Sequence, residues 1–208
     1  MDIRGFIDLH VHIGPELLPR KYSVQTLIKE EQGKIRGMAL KSHFYPTIPL
    51  IKSIPETKKL LLVGSVTLNN YVGGLNPDAI YASAKLSTLP IIVWFPTINA
   101  KNFLDNSEYE IPPEWVDNSF VSRLSKDVKG ITVSEDGKLS SNAARVLRAI
   151  KENNCILATG HLAANEAVLL VKEAVAMGIK RVIITHPIYQ RIDLNVERQK
   201  DLTLSDGV

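Results

Sequence analysis

Short apolar, β-branched runs alternate along this chain with amphipathic stretches of helical length, and that alternation limits the fold more than any other feature. Val182, Ile183 and Ile184 follow one another, as do Ile91, Ile92, Val93 and Trp94. A strand apolar on both faces belongs in a parallel sheet covered by helices. Strands are expected at Phe6–Ile13, Gly37–Tyr45, Leu60–Asn69, Pro90–Pro96, Cys155–His161 and Arg181–His186. Ile131–Val133 would add a seventh. Helices are expected from Ser23, as N-cap, to about Gln32 before Gly33, and at Pro49–Lys59. Others should run from Asn76-Pro77 to Leu86, near Asn118–Lys126, over Asn142–Asn154, over Ala164–Met177 before Gly178, and over Leu194–Leu202. Thr26 stands where a capping box would carry Glu or Gln, so the Ser23 start signal is incomplete. Asp136-Gly137 marks a hairpin. The stretch Thr97–Val116 is irregular and is either a lid or an inert insertion.

The expected architecture is α/β: a single domain over residues 1–208 forming a TIM-type (β/α) barrel. Closed eight-stranded barrels usually take about 250 residues. With six or seven strands and an end at Ser205-Asp206-Gly207-Val208, the barrel is expected to be incomplete, finished by a partner, or continued beyond this sequence. An unfinished edge favours association, so a homo-oligomer is one expectation. The aromatic-aromatic-Pro-Thr blocks Phe44–Thr47 and Trp94–Thr97 would both put rings at one rim.

Composition removes several function classes. The 208 residues are 45% hydrophobic and carry a net charge of +3 with the basic residues scattered, which argues against a nucleic-acid partner. No run of about 18 apolar residues suggests a membrane span, and the N-terminus does not read as a signal peptide. The single cysteine, Cys155, excludes an intrachain disulfide; its apolar neighbours make it a small buried hydrophobe, and a cytoplasmic location is expected.

The five histidines, His10, His12, His43, His161 and His186, all fall at the C-terminal ends of expected strands, the rim where barrel active sites sit. His10 and His12 are two residues apart, so they share a strand face with Cα atoms about 6.6 Å apart. If Ile7, Leu9, Val11 and Ile13 pack outward, both imidazoles point inward, as a shared ion requires. The same parity turns Lys41 with His43, Thr159 with His161, and Ile184 with His186 inward, Ile184 closing the floor. Tyr45, Trp94 and the Gly73-Gly74 loop would shape the pocket. A sulfur-free, histidine-rich set suits a divalent metal, zinc first, with manganese, iron or nickel as alternatives. His43 is a ligand, a substrate contact or a satisfied rim residue. Lys41, beside imidazoles and a cation, should have a lowered pKa; it would bind a substrate carboxylate, become carboxylated or form a Schiff base. Asp8 would orient a ligand histidine or pair with Lys41.

Asp8-Leu9-His10-Val11-His12 resembles the Asp-x-His-x-His motif on the first strand of the amidohydrolase superfamily. His161 in Ala158-Thr159-Gly160-His161 and His186 in Ile184-Thr185-His186-Pro187 resemble its fifth- and sixth-strand histidines. The resemblance implies a metal-dependent hydrolase acting on a small-molecule amide, ester or related bond through an activated water. His10, His12, His161 and His186 would be the metal ligands, and Lys41, His43 and His186 the catalytic candidates. Two departures stand out. The superfamily's last-strand aspartate has no counterpart, Asp206 being a poor substitute, and no lysine ends the strand at Trp94-Phe95-Pro96, which favours one ion over two. The alternatives are a mononuclear-metal lyase or decarboxylase using Lys41, and a non-catalytic metal-binding barrel.

Overall fold

The strands form where the apolar runs predict them, and each is shorter than its run. The computed structural model describes residues 2–55, 59–106 and 129–203. Its elements in order are β1 (Ile7–His12), α1 (Val24–Glu31), β2 (Gly37–Lys41), α2 (Ile48–Lys52), β3 (Leu61–Val63) and β4 (Ser65–Thr67). A 3-10 turn at Asn70–Val72, α3 (Pro77–Leu86), β5 (Ile92–Trp94), α4 (Lys101–Asp105), β6 (Ser134–Glu135) and β7 (Lys138–Leu139) follow. The chain continues through α5 (Ser141–Glu152), β8 (Ile156–Ala158), α6 (Ala164–Ala176), β9 (Val182–Ile183) and α7 (Val196–Thr203). The helix expected near Asn118–Lys126, residues 107–116 of the irregular stretch and the Ser205–Val208 end lie outside the described residues. The described start of that stretch folds into α4, which the sequence reading did not foresee.

The class is α/β with parallel sheets: β1, β2 and β3 pair in parallel, and so do β4, β5, β8 and β9. The run Leu60–Asn69 therefore serves both sheets. It is interrupted at Gly64, where a Cβ would stand 2.6 Å from Ile48 Cγ1, so α2 can cross closely only over glycine. Side-chain hydroxyls bind β4 to β2: Ser65 Oγ donates to Leu40 O (2.6 Å) and Thr67 Oγ1 to Ser42 O (2.6 Å). Thr47 Oγ1 also donates to Leu40 O (2.9 Å). Buried carbonyls that leave the ladder thus keep partners. Ile131 makes an isolated bridge to Ala100 and adds no strand to the parallel sheets.

Both faces of β2, β4 and β5 are buried, as their composition demands. Val66, Leu68, Ile91, Val93, Phe95 and Leu157 pack with residues of α3, α5 and α6, while Ala39, Ile92, Trp94 and Ala158 form a separate cluster joined by Val63, Ile156 and Ile183. Burying one such aliphatic side chain is worth about 1.5–3 kcal/mol, so two buried faces dominate the stability. Phe95 therefore lies in the core and not at a rim. β1 departs from expectation: Val11 and Ile13 pack with Val24 and Leu27 of α1, but Ile7 and Leu9 stay 37% and 44% exposed.

The caps follow local chemistry. Ser23 does form a capping box, because the Thr26 hydroxyl accepts from Ser23 N (3.0 Å) while Thr26 N donates to Ser23 Oγ (3.2 Å). Asn76 caps α3, accepting from Asp78 N, and Ser140 caps α5. Asp136 and Gly137 take φ values of 50° and 75°, the pair of left-handed residues a tight hairpin needs. Glu166 Oε1 accepts from Val133 N, Ser134 N and Ser134 Oγ and so ties this hairpin to α6. Cys155 is buried in the core, and burial pushes its thiol up to about 11, in keeping with a packing role. Among the described residues no helix is long and apolar enough to cross a membrane.

Candidate functional site

The histidines meet because three strands end irregularly. On β1, Asp8 pairs with Met38 but Val11 with Leu40, so one extra residue bulges between them and re-aims the strand end. Asp8, expected inward, is exposed; its Oδ1 accepts from the His10 main-chain N–H (2.9 Å) and not from Lys41. His10 and His12 do come together, with ring centroids 5.1 Å apart.

Simple parity fails on the two later strands. In β8 the residue in the inner cluster is Ala158, not Thr159. His161 reaches the site because Gly160 turns the chain at φ +65°, where a Cβ would stand 2.3 Å from Phe95 O. The turn is held by Gly160 N donating to Thr185 Oγ1 (3.1 Å), Thr185 N to Thr159 Oγ1 (2.9 Å) and His161 N to Pro96 O (2.9 Å). In β9 the inner residue is Ile183, while Ile184 packs outward with Val171 and Leu194 and closes no floor. His186 swings in through φ +45°, a conformation non-glycine residues seldom adopt.

The result is a ring of five imidazoles. His10 stacks on His186 at 4.9 Å, His12 lies 4.7 Å from His43, His43 is 6.4 Å from His161, and His161 is 5.8 Å from His186. His10, from the first strand, thus meets a residue that follows the last. Burial, reinforced by Lys41, lowers His10 to about 3 and His12 to about 2 and holds His43 and His161 well below the usual range. His186 is the exposed member, and burial with Lys41 lowers it less.

Lys41 is fully buried behind His10. Its Nζ is 3.0 Å from His10 Nε2 and 4.2 Å from the centroid of the Trp94 ring. Desolvation brings it to about 7, helped by Arg20 and opposed by Glu16. The lowered pKa expected from the sequence is therefore present, with burial as its main cause.

The sequence reading missed Glu16 and Arg20, on the loop after β1. The Glu16 side chain has no exposed surface and the Arg20 side chain is 16% exposed. Glu16 Oε1 accepts from Arg20 Nε, and Oε2 accepts from Ser42 Oγ (2.7 Å) and His43 N (3.2 Å). Two charges, Glu16 and Arg20, set among the apolar residues and prolines of Pro15–Arg20 beside a strand carrying two histidines, were the available signal.

Arg20, His12, His43, His161 and His186 line a cleft of about 500 Å³ whose other walls include Leu18, Ile98, Phe103 and Tyr189. Tyr45 and the Gly73-Gly74 loop are not part of it: the Tyr45 hydroxyl bonds Pro15 O, and the loop closes on α3 and Ile131. Trp94 is fully buried and backs Lys41 and His10, with its ring 4.7 Å from that of His10.

Could these residues hold a metal? Among the described residues no three His, Cys, Asp or Glu side chains already close on one ion position. Two buried nitrogens, however, His12 Nδ1 and His161 Nδ1, have no hydrogen-bond partner. An unpaired buried nitrogen is unfavourable unless something else binds it. Neutral imidazoles without thiolates are the donors a borderline divalent ion prefers. The donor set fits such an ion, with the restriction that His10 Nε2 is already engaged by Lys41.

The sequence model of a family described as "Family of unknown function (DUF6282)" matches residues 5–208, so the chain belongs to that family. No curated protein matches it.

Proposed function

We propose that this member of the family is a metal-dependent hydrolase acting on an amide, ester or related bond of a small molecule. The observation that carries the reading is the pair of unpartnered buried nitrogens, His12 Nδ1 and His161 Nδ1, inside a ring of five imidazoles. His10, His12 and His161 would hold one divalent ion, with zinc best matched and manganese, iron or nickel as alternatives, and His186 stands beside them. Such an ion, when bound, makes water a nucleophile near neutral pH and polarises a carbonyl or phosphoryl oxygen.

The chain's own residues supply the rest. His186 presents the exposed ring at the cleft, neutral at pH 7, and takes the proton of the attacking water at a ring nitrogen. It then delivers that proton to the leaving amine or alcohol. Leu18, Ile98 and Phe103 give the cleft apolar walls that displace water from the reacting bond. Lys41 does not line the cleft; its Nζ meets His10 Nε2 and so competes with an ion for that nitrogen.

A TIM-type barrel and kinship with the amidohydrolase superfamily belong to the same proposal. Support comes from the inward cluster drawn from β2, β3, β5, β8 and β9, and from the stacking of His10 on His186, which brings the two ends of the strand series together. The imine-forming lyase reading draws on a lysine near neutrality, but Nζ is enclosed by His10 and Trp94.

Metal analysis of protein purified without added ions tests the proposal, followed by a screen of amide and ester substrates. We expect about one divalent ion per chain, lost in His12→Ala and His161→Ala, together with turnover that chelation abolishes. A protein that binds no transition metal sinks the proposal. One that binds an ion yet turns over no substrate is a metal-binding module instead.

A further inference from the structure

The buried hydrogen bonds around Thr97 decide what His43 offers the cleft. Asn69 and Thr97 are both 0% exposed, so no solvent completes their bonding. Asn69 Oδ1 accepts from two main-chain donors, Thr97 N (2.9 Å) and Asn99 N (3.3 Å), and this fixes the amide orientation. Asn69 Nδ2 consequently donates to His43 O (3.0 Å) and to Thr97 Oγ1 (2.9 Å). Thr97 Oγ1 is then an acceptor toward Asn69 and still has its own proton to place. The remaining polar neighbour of that hydroxyl among the described residues is His43 Nδ1, at 2.8 Å. If His43 Nδ1 carried a hydrogen, Thr97 would accept twice and its own O–H would be stranded in the core. Such a loss biases a tautomer at least several-fold.

We infer that Asn69 and Thr97 lock His43 as the Nε2–H tautomer, so that His43 is a hydrogen-bond donor to an oxygen of a ligand in the cleft and not a metal ligand. Nδ1 is turned to Thr97, and the ring itself lines the cleft beside His12 and His161. A fixed N–H on a ring that lines a cleft with apolar walls stabilises charge developing on a carbonyl or phosphoryl oxygen. Resting on the hydrolase reading, this makes an oxygen-centred acyl or phosphoryl group the class of ligand His43 recognises, with Thr97 and Asn69 as its positioning residues.

The test is nitrogen-15 NMR of the histidine-labelled, metal-free protein, with His43 assigned by comparison with His43→Gln. We expect a pyrrole-type Nε2 and a pyridine-type, hydrogen-bonded Nδ1. Zinc added alone should move the ring nitrogens of His12 and His161 directly while His43 keeps its tautomer pattern. Thr97→Ser should preserve the tautomer, and Thr97→Val should shift it toward Nδ1–H. A pyrrole-type Nδ1 in the wild-type protein, or direct coordination of zinc by His43, overturns the inference. Zinc that moves none of the histidines defeats the metal reading and leaves the tautomer result standing, so the two failures are distinct.

Discussion

Lys41 Nζ stands 3.0 Å from His10 Nε2, which sets a fully buried lysine in competition with any ion for the same nitrogen. Replacing it by Met keeps the volume and removes both the competing donor and a like charge. Lys41→Met should therefore bind zinc more tightly, by about tenfold or about 1.4 kcal/mol. The metal-free variant should be no less stable than the wild type, because a desolvated amine is exchanged for a thioether. Isothermal titration with zinc and urea unfolding read the two effects. Weaker zinc binding in a folded variant would show that Lys41 supports the ligand set.

Acid should unfold the metal-free protein more readily than its composition suggests. The unfolded chain takes up protons at histidine near 6.5, whereas the folded chain holds His10 at about 3, His12 at about 2 and His43 and His161 well below the usual range. The unfolded state thus binds more protons, so stability falls as pH drops below about 6.5, and the His10 contribution to that loss continues down to about 3. By pH 5 each well-buried imidazole should remove about 1–2 kcal/mol. Lys41, lowered from 10.5 to about 7, acts in the same direction across that higher window. Urea midpoints measured from pH 8 to pH 5 with chelator present should fall steadily; a flat profile would mean the imidazoles are hydrated.

Much of the fold was legible because two-sided apolar runs such as Ile91–Trp94 can only be buried strands, and because Asn76-Pro77 and Asp136-Gly137 carry their cap and turn in their own chemistry. The gathering of five histidines was legible for the same reason: strand ends meet at one edge. Their individual directions were not. Period-two parity assumes a regular strand, and here Gly160 and His186 both leave the strand in left-handed conformations while β1 bulges between Asp8 and Val11. Parity gave the correct face for His10 and His12, the correct outcome for His161 by the wrong route, and the wrong side for Ile184. Glu16 and Arg20 stayed hidden because the β1–α1 loop has no period to read and their partners, Ser42 and the His43 main chain, are distant in sequence.

Gly160 is the position where this irregularity can be tested. It combines φ +65° with main-chain oxygens of Phe95 and Pro96 at 2.3 and 2.5 Å from any added Cβ. Both obstacles are backbone, so neither can rotate away. Gly160→Ala should destabilise the protein by at least about 2 kcal/mol and displace His161. Gly178→Ala is the control: it shares a positive φ of 81° but has nothing within 4 Å of the added Cβ, so only about 1 kcal/mol of conformational strain should appear. Thermal unfolding compares the two, and zinc binding should weaken in the first variant alone. Equal effects in both would mean that the close approach to Phe95 and Pro96 does not hold the His161 turn.

Glu16 and Arg20 form the other element that local sequence could not reveal, and their energetics should be strongly coupled. The Glu16 carboxylate has no exposed surface, so its charge depends on Arg20, Ser42 Oγ and His43 N. Removing one charge of a buried pair strands the other, which typically destabilises by about 3–5 kcal/mol, whereas replacing both with neutral groups is far milder. Arg20→Met should therefore destabilise by about 3 kcal/mol, somewhat less than full burial implies because Arg20 is 16% exposed. Glu16→Gln can keep oxygen acceptance from Ser42 and His43 N, so it should be milder, about 2 kcal/mol, the loss coming from an unpaired guanidinium at the cleft. The double variant should fall short of the sum of the two by about 1–2 kcal/mol. Urea unfolding of the four proteins completes the cycle, and additive losses would show that the pair is hydrated and does not organise the loop that carries Arg20 into the cleft.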